Sequence, residues 1–112
     1  MTVVSNTSPI INLAAIGQLE LLKQLYGRII IPQAVYQEIA MTGAGQAGSR
    51  EVQQADWISR CTVADGSLIS ALSVELDAGE AEAISAAVEY QAALLLIDEQ
   101  RGRSVAQRLG LR

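Results

Sequence analysis

Short apolar runs that alternate with helix-type stretches constrain the fold of this chain more than any other feature. The runs lie at 2–5, at 28–31 (RIII) and at 93–97 (ALLLI). A parallel strand has helices on both faces, so it reads as a nearly continuous apolar run. Strands alternating with helices imply right-handed crossovers within one sheet. We therefore predict an α/β fold with a short central parallel sheet.

Local start and stop signals predict the helices between these strands. Pro9, directly after Thr7 and Ser8, is a helix-start signal because proline lacks a donor that would be unpaired there. Pro32 opens another helix in the same way, and Gly27 is a stop signal. We also predict helices at 51–58, 76–90 and 100–109 and a third strand at 61–63, whereas 64–76 has no clear pattern.

Length and composition favour one domain in the cytoplasm. At 112 residues the chain has room for one core, so we expect a single domain over residues 1–112. Half of the residues are hydrophobic and none is Phe, which suits aliphatic helices packed on a sheet. No apolar run approaches the roughly 18 residues of a membrane span, and the N-terminus lacks a secretion signal. The single cysteine, Cys61, is predicted to be a small buried hydrophobe.

The charged residues limit the chemistry. Histidine is absent, which removes the commonest general base and the commonest transition-metal ligand. Any catalysis must then use carboxylates, hydroxyls, Lys or Arg. The net charge of −4 argues against broad, charge-driven binding of nucleic acid. Four of the eight basic residues nevertheless fall in the last twelve positions.

Polar side chains follow two of the predicted strands. In parallel sheets ligands bind beyond the carboxyl ends of the strands, where Asn6 and Asp98 stand. Glu38 and Glu80 border the inward faces of two predicted helices. Together these residues form a plausible ring of oxygen ligands for Mg²⁺ or Mn²⁺. Such ions activate water for phosphodiester hydrolysis, and Arg101 and Arg103 could hold the flanking phosphates.

Each of these residues also has a purely structural interpretation. Asp77 and Glu80 have the spacing of a capping box, so Glu80 either caps its own helix or belongs to a site. Glu38 could be a solvated edge residue, and Asp98 a turn or cap residue. Glu82 is expected to meet solvent. Arg101 and Arg103 could equally form a solvated basic face.

A glycine-rich segment provides an apparent nucleotide motif. GAGQAG at 43–48 matches G-x-G-x-x-G, but it follows a predicted helix rather than a strand. We therefore interpret it as a flexible loop. A small-nucleotide-binding α/β domain is the weakest of the functional hypotheses.

Four segments in order resemble the small prokaryotic group of the PIN-domain family: SNTSPII, IPQAVYQEI, GEAEAI and LLIDEQRGRSVAQRLGL. The resemblance implies a three-layer α/β/α fold and a Mg²⁺- or Mn²⁺-dependent ribonuclease. It also implies a bacterial toxin controlled by a cognate antitoxin. Similar sequences usually continue past RLGL, so the resemblance further implies that the last strand and the closing helices are missing. The exposed sheet edge would then favour a homo-oligomer.

The resemblance also assigns roles to individual residues. Asn6 takes a position that is usually aspartate, which removes one negative charge from the metal site. The acidic positions of the family fall on Asn6, Glu38, Glu80 and Asp98, with the hydroxyls of Thr7 and Ser8 nearby. The leading hypothesis is an endoribonuclease in which these groups bind the ion. The alternative is a non-catalytic PIN-like module that binds RNA or a partner protein.

Overall fold

The computed structural model describes residues 2–97 and 100–111, with the backbone alone for 100–103. Four strands, seven α-helices and one π-helical segment are present in these ranges. In chain order they are β1 (Val3–Ser5), α1 (Thr7–Ala15), α2 (Glu20–Tyr26), β2 (Ile29–Pro32), α3 (Gln33–Tyr36), the π-helical segment (Gln37–Thr42), α4 (Ser49–Gln54), β3 (Ile58–Cys61), α5 (Gly66–Leu72), α6 (Ala78–Glu89), β4 (Leu94–Leu96) and α7 (Gln100–Arg108).

The strands form one parallel sheet in the order β3-β2-β1-β4. Neighbouring residues of β1 point to opposite faces, so Val3 joins one core and Val4 the other. The first core packs α1, α2, α3, the π-helical segment and α4 on the sheet, and the second packs α5, α6 and α7. The structure therefore has the predicted α/β class and the predicted three-layer α/β/α arrangement.

Glycine and proline place most helix ends where the sequence predicts them. Pro9 lies in the first turn of α1. Gly17 and Gly27 adopt φ values of 70° and 78°, which side chains other than glycine rarely adopt, and they follow α1 and α2. The helix predicted from Pro32 is present as α3, which passes directly into the π-helical segment.

The region around β3 differs from the prediction. The helix expected at 51–58 is Ser49–Gln54, and Trp57 lies beyond it in the first core. The strand expected at 61–63 is Ile58–Cys61, because Ile58 pairs with Ile29 and the register continues to Cys61 beside Pro32. The unassigned stretch contains α5, whose first amides donate to the Asp65 carboxylate.

Candidate functional site

Asn6 ends β1 at the carboxyl edge of the sheet. Its backbone N–H donates to the Leu96 carbonyl at 2.9 Å, and its own carbonyl accepts from the Ser5 hydroxyl at 2.9 Å. The Asn6 residue is only 3 % exposed. Its side-chain Oδ1 accepts no hydrogen bond from any described residue and does not cap α1. A buried amide oxygen without a donor is unfavourable, which makes Oδ1 a candidate ligand atom.

Glu38 lies beside the start of α1. The Thr7 hydroxyl donates to Oε2 of Glu38 at 2.8 Å, a contact between residues 31 positions apart. Glu38 is partly buried and is the second residue of the π-helical segment. The Gly43 N–H donates to the Glu38 carbonyl at 2.9 Å, five residues back as in a π-helix. Such π-helical turns are frequent at functional sites.

Gly79 brings the start of α6 against the same carboxylate. A Cβ atom at Gly79 would lie 2.9 Å from Cδ and 3.1 Å from Oε2 of Glu38, closer than van der Waals contact allows. Only glycine leaves room for the carboxylate in this position. The positive end of the α6 dipole also favours a carboxylate here.

Glu80 follows directly and is 7 % exposed. Its Oε1 accepts from the Asp77 N–H at 3.2 Å, and Asp77 Oδ1 accepts from the Glu80 N–H at 2.8 Å. These reciprocal bonds are the capping box that the sequence predicts. A role for Glu80 as a metal ligand stays a prediction.

The remaining predicted site residues are only partly described. Ser8 is a partly buried residue of α1 next to Thr7. Asp98 lies outside the described residues, and so do the side chains of Arg101 and Arg103 in α7. Within 2–97 and 104–111, no three carboxylate or cysteine side chains gather in a metal-binding group. The described part of the site therefore consists of the Asn6–Thr7 junction, Glu38 and the start of α6.

Two residues at this edge were not predicted. Glu82, expected in solvent, is partly buried, and its Oε1 accepts from the Ala34 N–H at 3.1 Å, at the start of α3. A helix that begins at a proline leaves N–H groups that need acceptors. The sequence therefore indicated that some side chain accepts a hydrogen bond near Pro32, although it did not indicate which one. Gly79 was also missed. A glycine in the first turn of a helix is a sign of close approach by another group.

The Cys61 thiol is a further ionisable group of the sheet. Burial, followed by the nearby Glu89 and Glu82 carboxylates, raises the pKa of its thiol from 9.0 to about 11. Cys61 is free and partly buried, at the end of β3. It is therefore a neutral thiol at physiological pH and a poor nucleophile.

None of the helices in the described part of the chain has the length and hydropathy that a membrane-spanning segment needs. In a comparison with known protein families, residues 2–112 match the sequence model of a family that is described as a PIN domain. Searches of curated proteins and of solved structures gave no significant match. The parallel three-layer fold agrees with the family match. Because the match spans nearly the whole sequence, this chain belongs to the PIN-domain family.

Proposed function

We propose that this protein is a metal-dependent endoribonuclease of the toxin type, held in check by a cognate antitoxin protein. PIN domains are in general nuclease-type folds that bind nucleic acid and depend on divalent metal ions. To these general properties the proposal adds that the substrate is RNA, that the protein acts as a toxin and that it is located in the cytoplasm. We also propose that the protein is a homo-oligomer.

The observation that carries the proposal is the buried, unpartnered Oδ1 of Asn6 one residue from Thr7, whose hydroxyl orients Glu38. An amide oxygen and a carboxylate oxygen are hard donors of the kind that Mg²⁺ and Mn²⁺ prefer. The described donors therefore fit such an ion, although Asn6 contributes no charge.

Asn6, Glu38, Glu80 and Asp98 would hold Mg²⁺ or Mn²⁺. When bound, the ion supplies water activation and neutralises charge on the phosphodiester. The Thr7 hydroxyl fixes the orientation of Glu38 through Oε2. Ser8 adds a second hydroxyl for the substrate, and Arg101 and Arg103 would bind the flanking phosphates with their two-point guanidinium donors.

The test is cleavage of single-stranded RNA by the purified protein with Mn²⁺ or Mg²⁺, with and without EDTA. Glu38→Gln and Asp98→Asn should each lower the cleavage rate by about a hundredfold or more, since each removes a charged ligand of an ion that supplies several kcal/mol of transition-state stabilisation. Glu20→Gln is the matched control, because Glu20 is an exposed residue of α2. Cleavage that survives both EDTA and Asp98→Asn would refute the metal mechanism.

Two observations favour a second candidate, a non-catalytic module that binds RNA or a partner protein. Oε1 of Glu80 already accepts the Asp77 N–H, and Asn6 lacks the charge of aspartate. Glu80→Gln separates a role of Glu80 as metal ligand from its role as helix cap, because the glutamine oxygen can still accept that N–H. A nuclease loses activity in Glu80→Gln while keeping its melting temperature. A protein that binds RNA but cleaves none under any metal condition is the module.

A further inference from the structure

Arg60 and Tyr36 form a stacked pair on the sheet face that carries α1 and α3. The Arg60 guanidinium carbon lies 4.2 Å from the centroid of the Tyr36 ring. The Tyr36 ring packs against the first core, whereas Arg60 is exposed. The pair therefore places an exposed guanidinium group over a partly buried aromatic ring.

Arg60 forms no ion pair with any acidic side chain that the structure describes. Arg108, by contrast, pairs with Glu75 at 2.9 Å. Arg28 donates to the Ser59 hydroxyl at 3.1 Å. Among the basic side chains that the structure describes, only Arg60 lies in a strand, one residue before the carboxyl end of β3. In parallel sheets, ligands bind beyond the carboxyl ends of the strands.

Tyr36 connects this pair to the candidate site. It is the last residue of α3, and Glu38 follows two residues later in the same continuous helical stretch. At about 100° per residue, the two side chains leave that stretch on different sides. One helical stretch thus carries Glu38 towards α1 and α6 and the Tyr36–Arg60 pair towards the β3 edge.

We propose that Arg60 and Tyr36 form a stacking subsite for one unpaired base of an RNA strand, an inference that rests on the proposed function and adds a base-binding position to it. The base stacks on the outer face of the Arg60 guanidinium, as bases do on arginine planes and aromatic rings in single-strand binding. The guanidinium N–H groups donate to the adjacent phosphate. A duplex does not bind here because its bases already stack on one another.

The test measures binding of a labelled single-stranded RNA octamer in EDTA, where no metal-dependent cleavage occurs, by fluorescence anisotropy. The comparison ligand is an abasic strand of equal length and charge. Arg60→Lys keeps the positive charge but removes the planar guanidinium group on which the base would stack. It should weaken binding of the base-containing strand by about fivefold or more and leave the abasic strand within about twofold of wild type. Arg28→Gln is the control, because it removes a charge without touching the stacked pair.

The outcomes distinguish this subsite from the nuclease itself. Equal binding of both strands by Arg60→Lys and wild type, or equal weakening of both, refutes the subsite even if RNA is cleaved. The subsite is also refuted if Arg28→Gln loses as much RNA affinity as Arg60→Lys and loses it only for the base-containing strand. A base-dependent loss at Arg60→Lys alone supports the subsite, and it does so even if the wild-type protein cleaves no RNA.

Discussion

At the scale of single residues, the position of Glu38 depends on two small neighbours. The Thr7 hydroxyl donates to one carboxylate oxygen, and Gly79 leaves the space that the carboxylate occupies. Neither neighbour carries charge, so both act on Glu38 by position. Displacement of a reacting group by about 1 Å can lower a rate by about a hundredfold.

Gly79→Ala tests this dependence. The added Cβ would displace the flexible end of Glu38 and break its bond from Thr7, so RNA cleavage should fall by about tenfold to a hundredfold. The melting temperature should stay nearly unchanged, because the preference of a helix for alanine over glycine, up to about 1 kcal/mol, offsets the lost bond from Thr7. Rates and thermal melts measured on the same preparation check both parts.

Gly66→Ala is the matched control for this substitution. Gly66 also lies in the first turn of a helix, but a Cβ there meets open space. It should keep full activity and gain slightly in stability. Full activity in Gly79→Ala would mean that the orientation of Glu38 does not matter.

The Cys61 thiol gives a pH-dependent prediction. With the pKa raised from 9.0 to about 11, the folded protein holds the thiol proton more tightly than the unfolded chain does. This contribution to stability is fully present below pH 9 and is lost as the pH rises through 11. Iodoacetamide should therefore modify the native protein more slowly at pH 8 than it modifies the urea-unfolded protein. Equal rates in the two states would contradict the raised pKa.

At the scale of elements, one carboxylate of α6 caps the start of α3. Oε1 of Glu82 accepts the Ala34 N–H, which has no acceptor within α3. The helical stretch that begins at α3 also carries Tyr36 and Glu38. Glu82 therefore supports both the candidate site and the stacked pair from the opposite face of the sheet.

Glu82→Ala should destabilise the protein by about 1–2 kcal/mol, the usual effect of losing a helix cap. Glu82→Gln keeps an oxygen acceptor and should lose less than half of that. Urea unfolding followed by circular dichroism gives both values. If both variants match the wild type, the Glu82 contact does not hold α3.

Local signals predicted the elements better than the contacts between them. Pro9 and Gly27 mark ends of helices through backbone constraints that act within a few residues. The position of β3 depends instead on pairing between Ile58 and Ile29, which no local pattern encodes. The contact between Thr7 and Glu38 joins residues 31 positions apart, so spacing predicted which residues could form a site but not which would touch.

At the scale of the whole molecule, the two outer strands differ in chemistry. Within the described residues, β3 pairs only with β2, and β4 only with β1. The β3 edge carries the exposed charge of Arg60, whereas β4 consists of three leucines. A charge on an edge strand opposes pairing with another chain, and a short apolar edge permits it. Self-association should therefore use β4 rather than β3.

Hydrogen exchange at two protein concentrations tests this expectation. As the concentration rises from about 10 µM to about 500 µM, the amides of Leu94–Leu96 should exchange more slowly, because pairing with a second chain protects edge N–H groups. The amides of Ile58–Cys61 serve as the internal control and should not change. Light scattering on the same samples should show the mass rising with concentration. A constant monomer mass, or slower exchange at β3 alone, would exclude β4 as the pairing edge.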